Sequence, residues 1–124
     1  MKQKNNIKID KSLLSGSTAM LILRLLESED MYGYQMIETL EKQSNNVFTL
    51  KAGTLYPLLH GMEQKKLILS YEIEQDNART RKYYTLTQAG KKLLKDKMDE
   101  WDIYSSAVNL VIKGRAELCR NLNG

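Results

Sequence analysis

Apolar residues recur at spacings of three and four from Leu13 to Ser28. Leu14, Thr18, Leu21, Ile22, Leu25 and Leu26 share a face, and Leu13, Met20 and Leu23 widen it, so the pattern predicts a helix buried on more than one side. Glu29-Asp30 ends it, and Met31-Tyr32-Gly33 reads as a turn. Tyr34 to Lys42 predicts a shorter second helix with Met36, Ile37 and Leu40 toward the core and Glu38 and Glu41 toward water. Ser44-Asn45-Asn46 breaks it, and Val47 to Leu50 is a short extended link. A third helix is expected to start near Thr54, with Thr54 as its N-cap and Pro57 in its first turn. Leu55, Leu58, Leu59 and Met62 form its single apolar stripe. The opposite side, Thr54, Pro57, His60, Gly61 and Gln64, is small and polar.

The period then changes from helix to strand. Leu67, Leu69, Tyr71 and Ile73 alternate with Ile68, Ser70, Glu72 and Glu74, and a second β-rich run covers Arg81 to Leu86. The two predict a hairpin across Gln75 to Thr80, with Arg79, Arg81 and Lys82 on its tip and second arm. Thr87 is a candidate cap for the last helix. Leu94, Met98, Trp101, Tyr104, Val108 and Val111 follow on one stripe over about 25 residues, roughly 37 Å. Such a stripe exceeds what the preceding residues can cover and predicts a partner helix, most simply a second copy in a homodimer. The expected fold class is therefore mainly α with a small β-hairpin. A winged helix-turn-helix domain occupies 13–87 and a long C-terminal dimerisation helix 88–118, with a flexible basic tail over 1–12 and a flexible end over 119–124.

Charge sharpens this picture. The chain of 124 residues carries a formal net charge of +4. Residues 1–12 hold four Lys and one Asp, and residues 51–92 hold eight basic and four acidic side chains, whereas 13–50 is net acidic. Segregated positive charge implies a polyanion-binding face. A helix with small polar side chains fits a major groove, and wing cations neutralise phosphates.

Other classes find little support. With one histidine, His60, and one cysteine, Cys119, the chain offers no intrachain disulfide, no metal-ligand spacing and no thiol-protease pair. No Ser/His/Asp set or phosphate-cradling glycine loop is present, so no catalytic residue, cofactor or metal is expected and an enzyme is excluded. No apolar run approaches membrane-spanning length and no signal peptide is read, so the expected location is cytoplasmic. The alternative left standing is a winged-helix protein-interaction module without base readout.

Three motifs carry a resemblance. Tyr32-Gly33-Tyr34, then Gly53-Thr54-Leu55-Tyr56-Pro57-Leu58-Leu59, then Arg81-Lys82-Tyr83-Tyr84-Thr85-Leu86-Thr87 with Gly90 resemble the PadR-like family of bacterial transcriptional regulators, from about Leu13 to Trp101. The single C-terminal helix with its one Trp is similar to the compact branch of that family. The resemblance implies a homodimer on a near-palindromic double-stranded DNA operator, usually as a repressor. In some compact members flat aromatic effectors stack on the helix Trp between the subunits.

Carried over by position, Tyr34, Lys51, Thr54, Tyr56 and the Arg81-Lys82-Tyr84 arm lie at or near DNA; Arg79 and His60 join them from the residue pattern. Tyr34 bonds a phosphate or caps the core. Tyr56 touches DNA or packs on the wing, and Tyr83 and Tyr84 point oppositely, so only one of them meets DNA. Trp101 is a dimer anchor, a stacking platform, or both; Leu94, Met98, Tyr104, Val108 and Val111 share its interface. Cys119 is an inert thiol or a redox sensor. This chain departs from the family pattern at Lys66, where a Gly is usual, at Gly61, where a basic residue is common, and at the glycine-free wing tip Asp76-Asn77-Ala78.

Overall fold

The apolar spacings resolve into five helices and three strands in the computed structural model, which describes residues 9–114. The helix expected over Leu13–Ser28 is two. In α1 (Lys11–Ser15) Asp10 is the N-cap, its Oδ1 accepting from Ser12 N at 3.1 Å, so Asp10 to Ser12 begin the fold instead of ending a loose tail. Ser17 Oγ and Thr18 Oγ1 then both donate to the Leu14 carbonyl, at 3.2 and 2.9 Å. These hydroxyls take the acceptor that would close the next turn, and the chain breaks at Gly16-Ser17 before α2 (Thr18–Ser28). The basic residues before Ile9, the predicted helix beyond Gly114, and Cys119 lie outside the described residues.

Met31-Tyr32, read from the sequence as a turn, is a strand, β1 (Met31–Tyr32). It pairs antiparallel with β3 (Thr80–Leu86), which also pairs with β2 (Ile68–Glu74), giving the order β1-β3-β2. Between β1 and β2 run α3 (Gly33–Gln43) and α4 (Ala52–Gln64). Their shared core with α2, the sheet and the start of α5 (Gln88–Lys113) is Ile22, Leu23, Met36, Leu55, Leu59, Ile68 and Leu94, all fully buried.

The helix-turn-helix is punctuated by two αL stops. After α3, Asn46 N reaches Glu41 O at 2.8 Å and Asn45 N reaches Lys42 O at 3.2 Å, with φ 66° and 54° at the two asparagines. After α4, Leu67 N bonds Met62 O and Lys66 N bonds Glu63 O, both at 3.0 Å. Each is a Schellman closure, and each needs a left-handed residue after the helix. Asparagine tolerates that conformation; Lys66, at φ 62°, does so at a cost. Lys66→Gly is expected to stabilise the fold by about 0.5–1 kcal/mol, the relief of αL strain exceeding the greater chain entropy of glycine. Thermal melts of the two proteins check this, and a lower melting point in the glycine variant contradicts it. Ala78, at φ 66°, holds the same conformation at the wing tip, where Ala78 N donates to Gln75 O at 3.1 Å in a three-residue turn.

The phase of β2 puts Ile68 inward and Leu69, Tyr71 and Ile73 outward, at 51%, 40% and 44% exposure. Ile68 faces Leu86 across the sheet and Ser70 faces Tyr84, so the inward ladder is apolar where it meets the helices. The outward ladder pairs Tyr71 with Tyr83 and Ile73 with Arg81. Tyr71 and Tyr83 stack at 5.8 Å, Tyr32 meets Tyr83 edge-on at 5.4 Å, and Tyr71 Oη donates to Asp30 Oδ2 at 2.6 Å. That bond holds the Tyr71 hydroxyl above its ordinary pKa.

The first compact unit closes at Leu94, so the opening turns of α5 belong to it and not to the dimerisation helix expected over 88–118. Leu94, expected at the dimer seam, is a core residue with no exposed surface. Gly90 explains the seating. A Cβ there would overlap the Leu67 carbonyl oxygen and come within 2.6 Å of Leu86 Cδ1. Thr87 locks the joint, the single proton of its Oγ1 shared between Lys66 O and Leu67 O at 2.8 and 2.9 Å while the oxygen accepts from Gly90 N at 3.0 Å.

The second unit, from Lys95 onward, is helical to Lys113. Met98, Trp101, Tyr104 and Val111 are exposed along it, Val108 is half-buried, and Trp101 and Tyr104 lie 6.1 Å apart, ring to ring. No helix among the described residues is long and apolar enough to cross a membrane.

Candidate nucleic-acid interface

α4 begins at Ala52, with Lys51 as N-cap, three residues before the expected start. Thr54 is thus not the cap. Its own N–H donates to Lys51 O at 3.0 Å and its exposed side chain lies on the helix surface. Pro57 falls in the second turn and removes the hydrogen bond that would run back to Gly53. No side chain caps the first amides of α4, which leaves partial positive charge at its open end.

Leu55, Leu59 and Met62 anchor the buried side, and Leu58 flanks them. On the other side Gly53, Thr54, Pro57, His60 and Gln64 are exposed. A Cβ added at Gly53 or at Gly61 meets nothing within 4 Å. One side of α4 is therefore bare backbone and short polar groups along its full length.

At the N-terminal end of this bare side stand two tyrosines. Tyr34, in the first turn of α3, is 61% exposed, and Tyr56 meets it edge-on with ring centroids 6.5 Å apart. Tyr56 can lie there because Gly33 has no side chain: a Cβ on Gly33 would overlap the Tyr56 hydroxyl. The Tyr32-Gly33-Tyr34 motif is thus coupled to Tyr56 across 23 positions, a constraint that spacing alone does not reveal. Burial first, and then the hydroxyls of Tyr34 and Tyr84, push the Tyr56 pKa upward. At neutral pH it keeps its proton and can donate a hydrogen bond.

The wing supplies the cations. Arg79, Arg81 and Lys82 are exposed. Among the described residues the ion pairs are Arg24–Glu27, Lys95–Asp99 and Lys97–Glu100, so none engages Lys51 or a wing cation. Arg81 and Lys82 alternate in β3 and so lie on opposite faces of the sheet. The Arg81 guanidinium sits 4.2 Å above the Tyr32 ring, and the Lys82 ammonium 5.7 Å from the Tyr84 ring. Arg79, Thr80 and Arg81 line an open hollow of about 430 Å³ with Gln75, Asp76 and Asn77.

Tyr84 leaves the set of contact residues. It is 4% exposed, with its ring in the core, and desolvation with the nearby Glu63 carboxylate raises its pKa. Tyr83 is the outward member of the pair. The structure therefore gathers Tyr34, Lys51, Thr54, Tyr56 and His60 on or beside α4 and places Arg79, Arg81 and Lys82 on the wing. Tyr32, the platform under Arg81, was missed by sequence reasoning, because its pairing with Tyr83 crosses about fifty positions.

The profile of the transcriptional regulator PadR-like family matches residues 22–96. A solved transcriptional regulator from Clostridium thermocellum is 29% identical, covers 83% of this chain and all of its own, and superposes with a TM-score of 0.77. A PadR-like transcriptional regulator from Bacillus cereus is 30% identical, with 85% of this chain and all of its own covered and a TM-score of 0.74. An uncharacterized protein of Lysinibacillus sphaericus, protein X, is 30% identical over 106 residues, which span 86% of this chain and 97% of that protein.

Proposed function

The chain belongs to the transcriptional regulator PadR-like family, and from that premise we propose that it is a cytoplasmic repressor that binds a near-palindromic operator as a homodimer. The observation that carries the reading is the bare side of α4, open at Gly53 and Gly61 and framed by cations that join no ion pair among the described residues. Thr54, His60 and Gln64 are the side chains that face base edges, and Tyr34, Tyr56, Lys51, Arg79, Arg81 and Lys82 meet phosphates. Met98, Trp101, Tyr104, Val108 and Val111 form the seam between two copies, where apolar side chains that are exposed in one chain become covered. The exposed Trp101 ring, tilted 39° from Tyr104, is the face on which a planar aromatic effector stacks to weaken operator binding.

Selection of duplexes from a random pool by the purified protein tests the central claim. The expected product is an inverted repeat with half-sites about one helical turn apart, roughly 10 bp. Placed between a promoter and a reporter, it should lower expression when the protein is present. Because Trp101 is the sole tryptophan, quenching of its fluorescence by planar aromatic compounds reports the effector directly. Recovery of no enriched duplex, with retention of a protein partner instead, favours an interaction module without base readout.

A further inference from the structure

We propose that Tyr32, Tyr83, Tyr71 and Asp30 are positioning residues for DNA binding: without touching the duplex, they hold the Arg81 guanidinium in place for a phosphate. The proposal rests on the DNA-binding reading above and adds which side chains set the strength of one of its contacts.

The register of the sheet puts three rings in one row. Tyr32 on β1 and Tyr71 on β2 are both opposite Tyr83 on the central strand β3. Rings so placed are within reach of one another. Tyr32 meets Tyr83 edge-on at 5.4 Å, and Tyr83 stacks on Tyr71 at 5.8 Å with 15° between the planes. The far end of the row is tied down, since Tyr71 Oη donates to Asp30 Oδ2 at 2.6 Å. Asp30 immediately precedes β1, so this bond spans from one outer strand to the start of the other.

Arg81 lies two residues before Tyr83 on the same face of β3, and its guanidinium sits 4.2 Å above the Tyr32 ring. That is a diagonal reach toward β1, away from the hairpin turn. Ile73, directly opposite Arg81, carries no charge, and Arg81 joins no ion pair among the described residues. An arginine on the face of a ring keeps its in-plane N–H groups for an anion. The other wing cations are held differently. Among the described residues Arg79 rests on no ring, and Lys82 is 5.7 Å from Tyr84 on the inward face. Fixing a free arginine on binding costs rotamer entropy, and a side chain already confined by the fold avoids most of that cost. Confinement of one arginine in each of two chains should be worth about tenfold in affinity. It leaves the number of neutralised phosphates, and so the salt dependence, as it is.

The test titrates a duplex of random sequence, about 30 bp long, with the full chain at several salt concentrations. Wild type, Tyr32→Leu, Arg81→Ala and the double variant are compared, with melting temperatures followed in parallel. Tyr32→Leu should weaken binding about tenfold at an unchanged salt slope. Arg81→Ala should flatten the slope by about 0.9 for each bound chain. In the Arg81→Ala background Tyr32→Leu should cost nothing more, because its effect runs through the arginine. Tyr32→Phe keeps the ring and should bind as the wild type does. Tyr71→Phe deletes only the hydroxyl that Asp30 holds. It should weaken binding about twofold, again only where Arg81 is present, and it decides the matter if Tyr32→Leu does not fold. A loss of equal size in both backgrounds makes the row merely structural and overturns the proposal. So does wild-type affinity in Arg81→Ala, in Tyr32→Leu or, where that variant does not fold, in Tyr71→Phe; the DNA-binding reading survives each of these results. Absence of any salt-dependent binding by the wild type overturns that reading and the positioning role with it.

Discussion

Gly90→Ala should cost this fold about 3 kcal/mol and lower its melting temperature by roughly 10 °C. The added methyl has nowhere to go. Its Cβ would overlap the Leu67 carbonyl oxygen and sit 2.6 Å from Leu86 Cδ1, and a backbone carbonyl cannot rotate aside as a side-chain tip can. The same joint holds Thr87 Oγ1 between two carbonyls and the Gly90 amide, so a shift of the first turn of α5 strains three hydrogen bonds as well as the packing. Leu94, fully buried one turn later, would be levered out of the core with it. Gly53→Ala is the control. Nothing lies within 4 Å of a Cβ there, and alanine in a helix is worth about 0.5–1 kcal/mol over glycine, so that variant should melt higher. Equal melting points for the two variants would mean that α5 does not begin in this seat.

Much of this architecture was legible in the residues, and its failures share a cause. The periods of 3.6 and 2 located α2, α3, α4, the wing strands and α5, because each element buries one face and alternation records which residues share it. Alternation does not say which face is inward. Leu69, Tyr71 and Ile73 are more apolar than Ser70, Glu72 and Glu74, yet they lie outward, since the register that pairs Ile68 with Leu86 also turns Tyr84 into the core. The Tyr84 assignment failed on that phase. Leu94 failed for a related reason: on a long stripe, spacing cannot tell a residue covered by its own chain from one left for a partner. β1 is two residues long, too short to show a period. Lys66 was legible in reverse, as a lysine where a left-handed residue is usual, and the backbone takes that conformation at φ 62°.

Gly61 gives a sharper test of function, because one position separates folding from DNA binding. A side chain there meets nothing of the protein within 4 Å and points from the bare side of α4. Any helix-forming replacement should raise stability by roughly 0.5–1 kcal/mol. Gly61→Glu should do so while weakening duplex binding at least tenfold, because a carboxylate is placed against the phosphate backbone or against electronegative base edges. Gly61→Arg should raise stability by a similar amount and tighten binding, adding close to one phosphate contact per chain and steepening the salt dependence by about 0.9 for each bound chain, about 1.8 for the dimer. Opposite changes in affinity of this size at matched stability place this side of the helix against nucleic acid, because the same charge swap more than a Debye length from the duplex is largely screened. If the glutamate variant keeps the duplex affinity of the wild type, then α4 does not enter the groove. The exposed apolar wing surface of Leu69, Tyr71 and Ile73 then becomes the better candidate for what this protein recognises.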